Sequence, residues 1–168
     1  MNDIHLDLGC GFNKAKNRIG MDNRKIEGVD IVHDLEVIPY PLDNDCCLSI
    51  RCSQVVEHLK PWLMIGIMDE WWRIMKPNCK IYIATPPADS FWFHVDPTHI
   101  KGWNDSTVQY FDPRAFLYTI YRPKPWLIRS VEKLEITLEF LLEKISEEEG
   151  IKLFGEAQKK GYKEGDML

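Results

Sequence analysis

The chain lacks a basic stretch followed by an apolar one at its start. Met1 to Leu8 alternates as a strand does, so no cleaved secretory leader is expected. It also lacks any apolar run near the roughly 18 residues that a membrane-spanning helix needs, and a cytoplasmic protein is expected. Its five cysteines, Cys10, Cys46, Cys47, Cys52 and Cys79, form no C-x-x-C pair. An odd number without a leader argues against a disulfide framework, and they read as reduced core or strand residues. Positive charge is not in excess: 21 Lys and Arg stand against 26 Asp and Glu, a formal net charge of -5. That balance gives no electrostatic footprint for DNA or RNA, so a nucleic-acid partner is not favoured. No internal repeat is found. What is present is a chain of 168 residues, 45% hydrophobic, long enough for one core and short for two.

Along that chain, Ile4 to Leu8 reads as a buried strand ending in the turn Gly9-Cys10-Gly11, and Arg18 to Met21 as a second strand stopping at Asp22-Asn23. Val29 to Val32 and Cys46 to Arg51 read as the third and fourth strands, the latter after the turn-rich Pro41-Leu42-Asp43-Asn44-Asp45. Pro61 suits the first turn of a helix running to Met75. Apolar residues lie almost all round that helix, which predicts deep packing against a sheet. Lys76-Pro77-Asn78-Cys79 has Pro and Asn where a type II turn wants them, and Lys80 to Ala84 follows as the fifth strand. Such alternation predicts an α/β fold with a doubly wound, mostly parallel sheet.

Beyond it the period is lost. Residues 86–113 form a Pro-, His- and Trp-bearing insertion, longer than ordinary connections and expected to be functional or to carry short helices. Ala115 to Tyr121 suggests a short helix. Trp126 to Leu134 and Glu135 to Leu142 suggest a closing antiparallel strand pair, although the second is equally compatible with a helix. Residues 1–145 are taken as one domain. The charged tail 146–168, with its glycines, is expected to be a loose helix or disordered.

Three strand ends carry polar chemistry. Asp7-Leu8-Gly9-Cys10-Gly11 sets a carboxylate beside two glycines, where bare backbone can approach a ligand, although Gly-x-Gly also occurs in plain turns. Asp22 ends the second strand, where a carboxylate can accept both hydroxyls of a ribose; it can also be a turn residue beside Asn23. Asp34 ends the third, where its side chain can accept from an adenine amino group and the Leu35 amide can donate to a ring nitrogen. In a parallel sheet all three open on the ligand-binding edge.

In this order, Leu6-Asp7-Leu8-Gly9-Cys10-Gly11, Gly20-Met21-Asp22, His33-Asp34-Leu35-Glu36, Val55-Val56-Glu57-His58-Leu59 and Met75-Lys76-Pro77, with Ile81 to Pro86 after them, resemble the class I S-adenosyl-L-methionine (SAM)-dependent methyltransferases, particularly the type 11 group. The resemblance covers about Ile4 to Pro87. It implies a Rossmann-like fold and SAM as cofactor. By resemblance Gly9, Cys10 and Gly11 cradle the methionine and ribose part, Asp22 holds the ribose, and Asp34 and Leu35 meet the adenine. Asp7 would support the loop or contact the ligand's amino group, and Ser53 opens the loop after the fourth strand that passes near the sulfonium. Two departures stand out: Phe12-Asn13 follows Gly11 where the family has another glycine, which suggests a wider approach to the ligand, and the first helices are short or missing. Members of the family carry a helix before the first strand and a full helix after it, whereas only Phe12 to Ile19 is available for the latter. A parallel crossover ordinarily takes a dozen residues or more, so this helix is expected to be reduced to a turn or loop. A thinly covered flank follows, which a second copy or a partner would cover.

The acceptor side is less legible. His94, His99 and His58 are candidates for a general base. His94-Val95-Asp96-Pro97-Thr98-His99 also offers imidazole and carboxylate groups that suit a metal, but no further cluster supports one and no metal is assigned. The expected activity is transfer of the SAM methyl group to an O, N or C acceptor that the residues do not identify. Two alternatives stay open: a catalytically silent SAM-binding partner module, and a nucleotide-binding oxidoreductase. Against the oxidoreductase stand the shortened fingerprint and the Glu57-His58-Leu59 segment.

Overall fold

A computed structural model describes residues 3–162. Its centre is a seven-stranded sheet of order β3-β2-β1-β4-β5-β7-β6. The strands are β1 (Ile4–Leu8), β2 (Ile19–Asp22), β3 (Ile31–Val32), β4 (Cys47–Ser53), β5 (Met75–Thr85), β6 (Trp126–Lys133) and β7 (Leu138–Lys144). The first five run parallel, and β7 pairs antiparallel with both β5 and β6. Leu6, Leu8, Ile50, Cys52, Ile81 and Ile83 are almost wholly buried, as central strands covered on both faces require. The doubly wound sheet with an antiparallel closing pair is therefore the expected architecture. All five cysteines are free, and four are buried.

Several boundaries differ from expectation for local reasons. Only Ile31–Val32 pairs as β3, because a turn through Ile26 and Val29 precedes it. β4 runs on past Arg51 to Ser53, with Cys52 fully buried between β1 and β5. The turn expected at Lys76 to Cys79 is absorbed into β5 as an irregularity: Asn78 has φ 61°, and the register against β4 shifts between the Cys47–Met75 and Ser49–Lys80 pairs. Asn tolerates this left-handed backbone better than most residues. The second closing segment is a strand and not a helix. Leu138, Phe140, Leu142 and Lys144 alternate inward, and period 2 wins over the helix propensity of Glu and Leu.

The chain enters helix α1 (Met64–Ile74) through a 3₁₀ turn at Pro61–Leu63, which spares Pro61 an unmet donor. Met64, Ile67, Met68, Trp71 and Ile74 face the sheet. Glu70 is buried with them because its carboxylate is saturated: Oε1 accepts the Tyr40 amide at 2.7 Å and Arg73 Nη2 at 2.6 Å, and Oε2 accepts Arg73 Nε at 2.8 Å. The Trp71 indole in turn donates to the Tyr40 hydroxyl at 3.1 Å, and that hydroxyl donates to the Leu35 carbonyl at 2.9 Å. These bonds fasten the segment after β3 onto α1.

Between β1 and β2 no helix forms among residues 9–18. Side chains tie down this connection in place of packing. Asp7 Oδ2 accepts the Ala15 amide at 2.8 Å, Arg18 Nη1 donates to the Leu6 carbonyl at 3.1 Å, and Asp30 Oδ2 accepts the Gly20 amide at 2.7 Å.

The insertion after β5 carries α2 (Phe91–Val95), capped by Ser90, and a 3₁₀ turn at Thr107–Phe111. Trp103 is buried against Phe140 and bridges to Pro87, which folds the insertion back onto the core. The expected helix at Ala115 to Tyr121 shrinks to one turn, α3 (Tyr118–Tyr121). Residues 147–160 form α4 (Glu147–Lys160), a regular helix and not a disordered tail; residues 163–168 lie outside the described part. Ser146 caps it by accepting the Glu149 amide at 3.1 Å, and acidic residues fill its first turn. Gly150 lets it close on Pro125, whose ring carbons would stand 2.7 Å from any Cβ there. Among the described residues no helix is long and apolar enough to cross a membrane.

Candidate functional site

The carboxyl ends of β1, β2, β3 and β4 open onto one cleft of about 500 Å³, lined by Gly9, Asp22, Asn23, Arg24, Asp34, Leu35, Glu36, Gln54, Val55, His58, Leu59, Lys60 and Ile100. Ligands bind at this edge of an open α/β sheet, and the volume suits a cofactor-sized molecule.

Its floor is built by close approach. Gly9, at φ 61°, lies so near Val55 that a Cβ would meet Val55 Cγ2 at 2.4 Å. Its amide donates to the Met21 carbonyl at 2.8 Å, tying the first loop to β2. Asp22 is buried at the end of β2: Oδ2 accepts the Gly11 amide at 2.9 Å, and Oδ1 accepts both the amide and Nε of Arg24 at 3.0 Å. Burial pushes the Asp22 carboxyl up, but the bonds from Arg24 and Gly11 outweigh it and hold the group below its ordinary range. The Arg24 guanidinium, more than half exposed, also stacks over Phe12 at 5.6 Å.

At the far side Asp34 turns on itself by accepting the Glu36 amide at 2.9 Å, and Glu36 accepts the Lys60 amide at 2.8 Å and its ammonium at 2.6 Å. Leu35 beneath them is held by the Tyr40 hydroxyl.

Gly9, Asp22, Asp34, Leu35 and His58 are thus brought together on the cleft wall. Gly11 lies behind Asp22 as its hydrogen-bond donor. Asp7 is fully buried with both oxygens engaged, one by Ala15 and one by Arg51 at 2.9 Å, so its place is under the loop. Cys10 is buried, and burial pushes its thiol up, with the Asp22 and Asp7 charges adding to this. Ser53 ends β4 one residue short of the cleft wall. Sequence reasoning missed Gln54, Arg24 and the Glu36–Lys60 pair. Gln54 turns at φ 58°, a backbone feature that side-chain chemistry does not signal.

The histidines separate. His94 is exposed on α2 against Phe93 and does not line the cleft. His58 borders the cleft, its ring 4.7 Å from that of His99. His99 is nearly buried: Nδ1 meets the Phe93 carbonyl at 2.7 Å, and Nε2 lies 4.0 Å from Oε1 of the wholly buried Glu57. Thr85 Oγ1 donates to Glu57 Oε2 at 3.0 Å, and burial pushes the Glu57 carboxyl up.

No family model matches the chain, and no curated protein does. Solved structures do match. A SAM-dependent methyltransferase from Archaeoglobus fulgidus aligns at 19% identity and TM-score 0.62 over 84% of this chain and 86% of its own. One from Methanosarcina mazei aligns at 14% and 0.61 over 87% and 94%. The fold is that of the SAM-dependent methyltransferases. A third match, at 12% and 0.60 over 86% and 83%, is with a complex of a methyltransferase and its activator from Haloferax volcanii. At such identities the likeness speaks for the fold alone.

Proposed function

We propose that the chain is a SAM-dependent methyltransferase with the cofactor in the cleft at the ends of β1 to β4. The observation that carries this reading is the placement of Gly9, Asp22, Asp34 and Leu35 around one cleft of cofactor size on a methyltransferase fold. The residues present fit the group. Gly9 carries no side chain into the first loop, where it packs directly on Val55, and Asp22 and Asp34 line the same cleft as acceptors for ribose and adenine. Asp7, Cys10, Gly11 and Ser53 support the loops that make contact.

When bound, SAM supplies a methyl carbon already activated by its sulfonium. The chain's own work is then to hold an O, N or C acceptor in line, exclude water and accept a proton where the acceptor needs to lose one. Positioning of this kind supplies about 7 to 11 kcal/mol in favourable cases, so a strong base is not required. Among the three histidines, His58 is the one on the cleft wall and is the candidate to face the acceptor. Asp22 has work to do before it can take a ribose: its Oδ1 must exchange the Arg24 guanidinium for a hydroxyl.

Calorimetry with SAM and with NAD separates this reading from a nucleotide-binding oxidoreductase. Conversion of SAM to S-adenosylhomocysteine with an acceptor library separates it from a silent SAM-binding module. The helix-free connection between β1 and β2 leaves Phe12 exposed, and we assign that flank to a second copy or a protein partner. Native mass spectrometry tests this, with a monomer at micromolar concentration counting against the second copy.

A further inference from the structure

Behind the cleft wall, Glu57, His58 and His99 each bring one ligand atom within 4.8 Å of the others. Glu57 Oε1 is buried and has no hydrogen-bond partner among the described residues. A buried carboxylate oxygen without a donor is costly and calls for an occupant. The two imidazoles are oriented toward it by their other nitrogens. Phe93 O can only accept, so His99 Nδ1 carries a proton and donates at 2.7 Å, which turns Nε2 toward Glu57 Oε1 and Asp96 Oδ2, 4.0 and 3.9 Å away. Thr98 Oγ1 donates to Asp96 Oδ1 at 2.6 Å, so His58 Nδ1 donates to Thr98 and its Nε2 is the nitrogen left for another partner. Imidazoles held by a hydrogen bond through Nδ1, with Nε2 left over, are the arrangement found where Nε2 ligates a metal.

We propose that Glu57, His58 and His99 form a binding site for a divalent transition-metal ion of the zinc class. Two imidazoles and one carboxylate match that ion's preferences and leave a fourth position for a water or an oxygen of the acceptor. Zn–N and Zn–O bonds of about 2.0 to 2.2 Å set tetrahedral ligand edges near 3.3 Å. Closing the 4.0 Å between Glu57 and His99 therefore takes less than an ångström, and a 4.8 Å separation takes about 1.5 Å, within reach of side-chain rotation. Because His58 also borders the cleft, the ion would lie at the cleft's edge and polarise an oxygen-bearing acceptor. That consequence rests on the methyl-transfer reading; metal binding does not.

The test uses tag-free protein stripped with a chelator and titrated with Co2+, followed by visible absorption and then by displacement with Zn2+. Saturation at one Co2+ per chain is expected. Glu57→Gln and His99→Gln should each weaken binding at least about tenfold, the loss that even supporting groups of such sites bring. His5→Gln, remote from the cluster, serves as the control and should bind as the native protein does. No saturable Co2+ binding by the folded protein overturns the proposal, as does binding that survives in both variants. SAM titrations of the same samples report separately on the cofactor cleft.

Discussion

Asp22 Oδ2 accepts the Gly11 amide at 2.9 Å, so the end of β2 and the loop after β1 form a single corner with a carboxylate at its apex. Gly9 sits in the same corner, clamped by Val55 from β4's following loop. Replacing Gly9 with Ala forces a side chain into a left-handed backbone and against Val55, at a cost of about 1 to 3 kcal/mol. Urea unfolding of Gly9→Ala should show that loss, together with weakened SAM binding in the folded fraction.

Arg24 competes for the oxygen that Asp22 would offer a ribose. With Asp22 buried but Arg24 more than half exposed, solvent screens this ion pair and its contribution is small. Arg24→Ala should therefore bind SAM up to about fivefold more tightly. Weaker binding in this variant would mean that the guanidinium contacts the ligand and does not compete with it.

Tyr40 anchors the Leu35 side of the cleft from outside it. Tyr40→Phe leaves the buried Trp71 indole without its acceptor and the Leu35 carbonyl without its donor, each costing about 1 to 3 kcal/mol when unsatisfied. A fall in the urea midpoint with unchanged m-value is expected, and SAM affinity should drop as Leu35 loosens.

What was legible in the residues follows from how local the signals are. Strand ends with Gly9, Asp22 and Asp34 announce themselves because backbone period and side-chain chemistry change at the same point, and the structure gathers all three on one cleft. The Glu36–Lys60 pair was hidden because an ion pair across 24 residues has no sequence period, and Arg24 because nothing in the turn after Asp22 shows that its guanidinium folds back on that carboxylate. His94 and His99, five positions apart, looked equivalent. α2 carries His94 out to solvent, whereas His99 lies four residues beyond its end and is turned in against Glu57. Composition leaves the tail between a loose helix and disorder, because the order of α4 comes from the Ser146 cap and the fit of Gly150 on Pro125, neither visible in composition.

Acidity offers a further check on Asp22. Its folded carboxyl lies below the ordinary value, so its contribution to stability is complete above about pH 4, near the unfolded value, and is lost as pH falls through the lower folded value. The stability gap between native protein and Asp22→Asn should be widest at neutral pH and narrow below about pH 4. Denaturant midpoints across that range measure it, and a gap constant with pH would deny the carboxylate its charge-dependent bonds.

If Asp22 receives the ribose of SAM, as proposed, calorimetric titration of native protein and Asp22→Ala with SAM must show it. Bonds to a charged group contribute about 1.5 to 3 kcal/mol each and are not additive. Since water partly replaces the lost oxygens, a net loss of about 2 to 3 kcal/mol is expected, roughly 30- to 150-fold in Kd. Circular dichroism establishes that the variant is folded. One-site binding by the native protein with that loss in Asp22→Ala is the predicted result; equal affinity in a folded Asp22→Ala, or no binding by the native protein, would contradict it.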